Sequence, residues 1–267
     1  MLKNLSELAF GRIPSYRKYE LFMERYRSAA EIVRREMVLK PNTRILDVGC
    51  GNGYMKHFFN PGEGRWHGIE VWEERVRCCK RLGYDVTEIN IETTAFPFAD
   101  RHFDVVFASH VIEHLPDPAR ALSECARVLK PGGLLLVATP TKPPLVAALI
   151  NAVHRLRKNA VGQTQQAFSA PALRRLVSRV LQDDGARWRL VDCRGLRLIS
   201  CRKRFNLEDF YWFYRLNTLL ARRLTYLAPE VNLIYRKERL PSLAGIVPTL
   251  QSLFSTGATV ASECAVF

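Results

Sequence analysis

Residues able to do chemistry concentrate in two short stretches. The first is "LDVGCGNGY", residues 46–54, where Gly49, Gly51 and Gly53 alternate behind Asp47. The second is "SHVIEH", residues 109–114, which brings His110, Glu113 and His114 together. A glycine turn between a strand and a helix presents backbone N–H groups and lets a ligand approach the main chain closely. The spacing is G-x-G-x-G, and Tyr54 stands where a dinucleotide fingerprint needs its last glycine. That disfavours a pyrophosphate cradle and favours a ligand without phosphates. Glu70 lies 21 residues beyond Gly49. An acidic residue there can accept hydrogen bonds from both hydroxyls of a ribose. Histidine takes or gives a proton near neutral pH, so His110 and His114 are the candidate catalytic groups. The plainer alternative is that Glu113 and His114 only order their loop.

These stretches need a scaffold, and the chain order supplies one. Residues 20–38 carry Phe22, Tyr26, Ala29, Val33 and Met37 at helical steps. "RILDVG" predicts a buried strand, with a helix from Tyr54 onward. "WHGIEV" predicts a second strand, and "EERVRCCKRLG" a helix closed by Gly83. "DVTEIN" and "FDVVFASHVI" predict the third and fourth strands. A helix over 118–129, a "KPGG" turn and the strand "LLLVATP" follow. Strands alternating with helices imply a parallel sheet with right-handed crossovers. The glycine turn then sits at the carboxyl end of the strands, where such sheets bind ligands.

Composition narrows the class. With 267 residues, 48% of them hydrophobic, the chain can bury a full core. Its formal net charge of +14 favours an anionic partner or, more plainly, a basic solvated surface. Seven cysteines without a C-x-x-C suggest neither a disulfide framework nor a zinc knuckle. Reduced thiols in a cytoplasmic protein fit better. The first eighteen residues lack the apolar core of a signal peptide. Residues 241–262 are uncharged but too rich in Pro, Ser and Thr for a spanning helix.

"ILDVGCGNG", "GIEV", "NIETTAFPFADRHFDVVFASHVIEHLPDP" and "ARVLKPGGLLLVATP" occur in that order. Together they resemble a class I S-adenosylmethionine-dependent methyltransferase, within the subgroup of quinone-biosynthesis and sugar or lipid methyltransferases. The resemblance implies an α/β, Rossmann-like fold. Its sheet would be seven-stranded and mostly parallel, flanked by helices, with "RWRLVDCRG" and "VNLIYRKE" as the last two strands and a helical insertion between them. It implies S-adenosyl-L-methionine as cofactor. Asp47, Gly49, Cys50, Gly51 and Gly53 would line its methionine part, with Glu70 and Val71 at the ribose. Asn90 would meet the adenine amine, with Ile91 beside the ring. Asn90 departs from the family's usual Asp, but its amide oxygen can still accept from that amine. Ser109 and His110 would face the transferring methyl. Some relatives hold magnesium with E-x-x-E-H. Here His110 replaces the first Glu, a nitrogen ligand suits magnesium poorly, and no metal is expected.

The chain divides into a helical arm or lid over 1–39, a methyltransferase domain over 40–240 and a tail over 241–267. Residues 143–158 are apolar and then basic. Residues 205–228 hold six aromatics up to Tyr214, followed by Arg215, Arg222 and Arg223. That composition suits an interfacial helix on anionic lipid, a roof over an apolar acceptor pocket, or a dimer contact. One or two helices over the carboxyl edge are expected, with Tyr211, Trp212 and Phe213 at the acceptor entrance. The expected function is methyl transfer to oxygen or activated carbon of a small or lipid-linked acceptor, by a cytoplasmic protein that works at a membrane surface. Two alternatives stay open: a catalytically inactive scaffold of a biosynthetic complex, and an RNA methyltransferase. Nucleic acid ranks lower as a partner, since no stacked-aromatic RNA module occurs.

Overall fold

The computed structural model describes residues 16–156, 166–198 and 211–239; of 16–22, 155–156 and 211–215 it describes the backbone only. Helix α1 (Tyr16–Glu36) leads into strand β1 (Arg44–Val48). Then come β2 (Arg65–Glu70), α2 (Glu73–Arg81), β3 (Asp85–Glu88) and β4 (Phe103–Ser109). Helix α3 (Pro118–Val128), β5 (Leu129–Pro140), α4 (Pro144–Leu156) and α5 (Ala170–Asp183) follow. The described chain closes with β6 (Trp188–Gly195), α6 (Tyr211–Arg223) and β7 (Glu230–Lys237).

The seven strands form one sheet in the order β3-β2-β1-β4-β5-β7-β6. Strand β7 runs antiparallel to both neighbours, and the other pairings are parallel. The order reverses between β1 and β4, so the loops after these strands face one crevice. Period-two alternation divides the core between the two faces. Leu46, Val48, Val106 and Ala108 meet Leu122, Cys125 and Ala126 of α3 and Leu173 and Val177 of α5. Ile45, Val105 and Phe107 meet Ala29, Ile32 and Val33 of α1 and Cys79 of α2.

Three local expectations are corrected. The helix from Tyr54 is a single 3₁₀ turn, Met55–Phe58. Met55 and Phe59 are both buried, and Asn60-Pro61 ends the turn before an α-helix can nucleate. "KPGG" belongs to strand β5, whose pairing with β4 shifts register between Phe103 and Val105. The fourth strand stops at Ser109. Helix α5 has its own signals, a Ser169 cap accepting from the Ala172 amide and Leu173, Val177 and Leu181 at helical steps. The arm's residues 1–15, residues 199–210 and the tail lie outside the described residues.

Candidate active site

The glycine turn is anchored from both sides. Gly49 and Gly51 have φ of +64° and +53°, a region that L side chains rarely adopt. A Cβ on Gly49 would lie 2.8 Å from Val111 Cγ2, so the turn rests directly on the loop that carries His110. A Cβ on Gly51 would meet nothing nearer than a backbone oxygen at 4.0 Å. The turn is therefore close-packed below Gly49 and open above Gly51, the shape a ligand needs to approach the main chain.

Glu70 ends β2 beside that opening and is buried. Its Oε2 accepts from the Gly51 amide at 2.9 Å. Its Oε1 accepts from the amides of Val71 and Trp72, at 2.9 and 3.1 Å. Val71 and Trp72 are themselves exposed, an apolar wall next to the carboxylate. Cys50 is buried under the turn, and Cys79 Sγ donates to the Gly51 carbonyl at 3.1 Å. Asp47 is buried and accepts from the Tyr84 hydroxyl at 3.2 Å. Burial first, and the nearby Glu70 charge next, push its carboxyl up to about 7, against the Tyr84 hydrogen bond.

The Asn90 amide oxygen accepts from the Glu92 amide at 2.9 Å, so the atom expected to read an adenine amine is engaged in its own loop. Ile91 is half-buried beside it. Ser109 ends β4 and His110 follows it, with the His110 amide donating to the Ala138 carbonyl at 2.8 Å.

His110 is the centre of a charged cluster. It holds φ of +57°, a costly conformation for a non-glycine residue. Its Nε2 lies 2.8 Å from Glu230 Oε1, and its Nδ1 lies 3.5 Å from Glu113 Oε1. Glu113 is buried and also accepts from the Thr139 hydroxyl at 2.9 Å. Arg25 of α1 reaches Glu230 at 3.2 Å, which ties the arm helix to this edge of the sheet. Burial works to raise the Glu230 carboxyl. The His110 hydrogen bond and the Arg25 and His110 charges outweigh it and hold the group below the usual carboxylate range. An ionised carboxylate only accepts, so Nε2 carries a proton in this pair and Nδ1 is the ring nitrogen left to exchange one with a substrate. His114 stands apart on the surface, its Nε2 4.0 Å from Glu113, with its side chain half exposed. It does not join His110.

Residues 46–137 match a family model described as a methyltransferase domain. The chain carries a class I S-adenosylmethionine-dependent methyltransferase domain. Over 130 residues it is 32% identical to a ubiquinone biosynthesis O-methyltransferase from Hahella chejuensis, covering 46% of this chain and 54% of that protein. Over 106 residues it is 34% identical to the protein of the same name from Saccharophagus degradans, covering 38% and 45%. The chain thus spans about half the length of the curated relatives it matches. The fold is shared with the YcgJ protein of Bacillus subtilis, at a TM-score of 0.53 and 17% identity over 80% of this chain and 99% of that one. Methyltransferases of this type use S-adenosylmethionine. The methyltransferase domain fits that cofactor in its open Gly51 surface, its buried Glu70 carboxylate and the absence of a fingerprint glycine at 54.

The sequence could not show Glu230, which reaches His110 from far along the chain, or Arg25, which reaches Glu230 from the arm helix. Asp47 yields a prediction. Its carboxyl titrates higher in the folded chain than in the unfolded one, so the folded form keeps a proton that the unfolded form releases between about pH 4 and 7. Stability is therefore expected to fall as pH rises through that window. A cofactor ammonium beside Asp47 would favour the carboxylate. Cofactor affinity should then rise with pH up to about 7 and level off above it, and Asp47→Asn should flatten the profile. Calorimetry across that range reads this directly, and a flat wild-type profile removes Asp47 from the cofactor site.

Proposed function

We propose that this chain transfers a methyl group from S-adenosylmethionine to a hydroxyl oxygen of a small or lipid-linked acceptor, with His110 as the base and an anionic bilayer as the working surface. The observation that carries the reading is the His110–Glu230 pair, set on the loop that touches Gly49. A hydroxyl acceptor must lose a proton, and a histidine oriented by a carboxylate is suited to take it. The relatives' name, O-methyltransferase, supports oxygen as the acceptor atom.

The surface argument starts two residues from the same pair. The Thr141 amide donates to the Pro229 carbonyl at 2.8 Å, and its hydroxyl donates to the Ala228 carbonyl. This pins the start of α4 to the end of the α6 segment, next to Glu230. On one side of the pin Leu145, Val146 and Leu149 of α4 are exposed, Leu145 at 86%. On the other side Leu219 and Leu220 of α6, then Tyr226 and Leu227, are exposed. Neither helix contains an acidic residue, and Arg222 and Arg223 are exposed at the end of α6. An apolar face edged with arginines matches an anionic lipid surface. No helix among the described residues is long and apolar enough to cross a membrane. The side chains of Tyr211, Trp212, Phe213 and Arg215 lie outside the described set.

The test uses purified protein, S-adenosylmethionine carrying a labelled methyl group, and either a membrane lipid extract or total RNA. Label recovered on an ether oxygen in the organic phase supports the reading. Label in RNA, or cofactor binding with no transfer to any extract, overturns it. For the surface, Arg222→Gln with Arg223→Gln should weaken binding to anionic vesicles by about 1 kcal/mol per charge, roughly thirtyfold together, and leave neutral vesicles unaffected. A wild type that ignores anionic vesicles removes the membrane part.

A further inference from the structure

Opposite the cofactor crevice, the amino edge of the sheet holds a cavity of about 500 Å³ lined by Arg44, Arg65, Trp66, His67, Asp85 and His102. We infer that this cavity is a second ligand site, which takes a small phosphate-bearing molecule through Arg44 and Arg65. Sheet register builds it. Arg44 pairs with Arg65 and His67 pairs with Asp85, so these four side chains share one face at the first residues of β1, β2 and β3. His102 precedes β4 and completes the row.

The cations here lack carboxylate partners. Among the described residues neither guanidinium lies within ion-pair distance of an acid. Arg44 Nη1 instead lies 3.2 Å from His102 Nδ1. Half-buried Asp104 accepts instead from the Arg44 amide at 2.8 Å and from Lys130 Nζ at 2.7 Å. Asp85 faces His67 Nδ1 at 3.5 Å with its own side chain largely in solvent. The imidazoles are held by rings rather than by charges. His102 stacks on Phe98, and His67 meets Phe103 edge-on at 5.3 Å between centroids. Burial first, and the neighbouring arginines next, hold both histidines below the usual imidazole range, though Asp85 works the other way on His67 and Asp104 on His102.

Chemistry selects the ligand. Arg44 occupies the His102 lone pair, so the cluster does not suit a metal cation. Two guanidiniums without carboxylate partners match a phosphate anion, which each can meet with N–H donors. The volume is that of a small-molecule site rather than of a bare ion.

The test is a titration of the full chain with inorganic phosphate, followed by nuclear magnetic resonance of the histidine rings. Expected is a saturable shift of His67 and His102 with a dissociation constant on the order of 1 mM. Arg65→Gln should weaken it about tenfold, and Arg175→Gln, at an exposed position of α5, should leave it unchanged. Arg65 is exposed, so that variant keeps the fold, and a matched thermal melt verifies this. Phosphatidylglycerol vesicles should leave both histidines unmoved, which separates a free phosphate ligand from a lipid headgroup. Histidine signals unmoved by phosphate, moved equally in Arg65→Gln, or moved only by vesicles would overturn the site.

Discussion

Replacing His110 by alanine is expected to lower turnover by about 10²–10⁴-fold while leaving cofactor affinity nearly intact. The expectation rests on which ring nitrogen is free. Nε2 is committed to Glu230 at 2.8 Å, while Nδ1 sits 3.5 Å from Glu113, too long for a hydrogen bond of normal strength. S-adenosylmethionine, when bound, supplies an electrophilic methyl group. On the proposed reading the chain holds a hydroxyl acceptor in line with that group, and the hydroxyl proton goes to Nδ1. The imidazolium that forms would lie between the carboxylates of Glu113 and Glu230. Glu230→Gln tests this orientation. It keeps an acceptor for Nε2–H but removes the charge that favours the imidazolium, so a smaller loss of about 10–10²-fold is expected. The His110→Ala loss should shrink as pH rises toward the acceptor's own pKa. Turnover that is flat with pH in both the wild type and the variant would mean that no proton is taken, as for a nucleophilic carbon.

The half of the site that is local in sequence was legible, and the half that is assembled from afar was not. Asp47, the glycines and Glu70 lie on consecutive βα units, where strand order fixes their proximity before any coordinates exist. His110 was visible as a histidine at the end of a buried strand. Its partner Glu230 stands 120 positions away on an antiparallel strand, and Arg25 belongs to the arm helix. Nothing in the spacing of charges marks either one. His114, four positions from His110, is set differently: the 3₁₀ turn Ile112–His114 leaves its side chain half exposed and 4.0 Å from Glu113, which spacing alone does not reveal. Asn90 is a third case. Asparagine is prone to hydrogen-bond to its own backbone two residues on, and here Oδ1 accepts from the Glu92 amide and keeps its second lone pair for a ligand. Among the elements, "KPGG" read as a turn because glycine and proline usually punctuate. The partners Phe103 and Val105 keep it in the sheet by a register shift instead.

Glu70→Ala is expected to weaken S-adenosylmethionine binding by about 1.5–3 kcal/mol, roughly ten- to 150-fold, through two separable losses. The first is the charge-assisted acceptor for the ribose hydroxyls. The second is structural. A carboxylate offers about four acceptor positions, and three backbone amides already occupy Glu70. One of these bonds, from Gly51, clamps the open part of the glycine turn to the end of β2. With only about one position left, two ribose hydroxyls can both bind only if the Gly51 amide lets go and turns to the ligand. Amide hydrogen exchange at Gly51 should therefore change on cofactor addition in the wild type. In Glu70→Ala the same amide should exchange fast with or without cofactor, because its partner is gone. Glu70→Gln separates the two losses. It keeps the side chain's shape, but its amide nitrogen must face one of the three backbone N–H groups, so it should recover part of the clamp and little of the affinity. Calorimetry giving the alanine variant the wild-type affinity would remove Glu70 from the ribose. Tighter binding of NAD than of S-adenosylmethionine by the wild type would remove the cofactor assignment altogether.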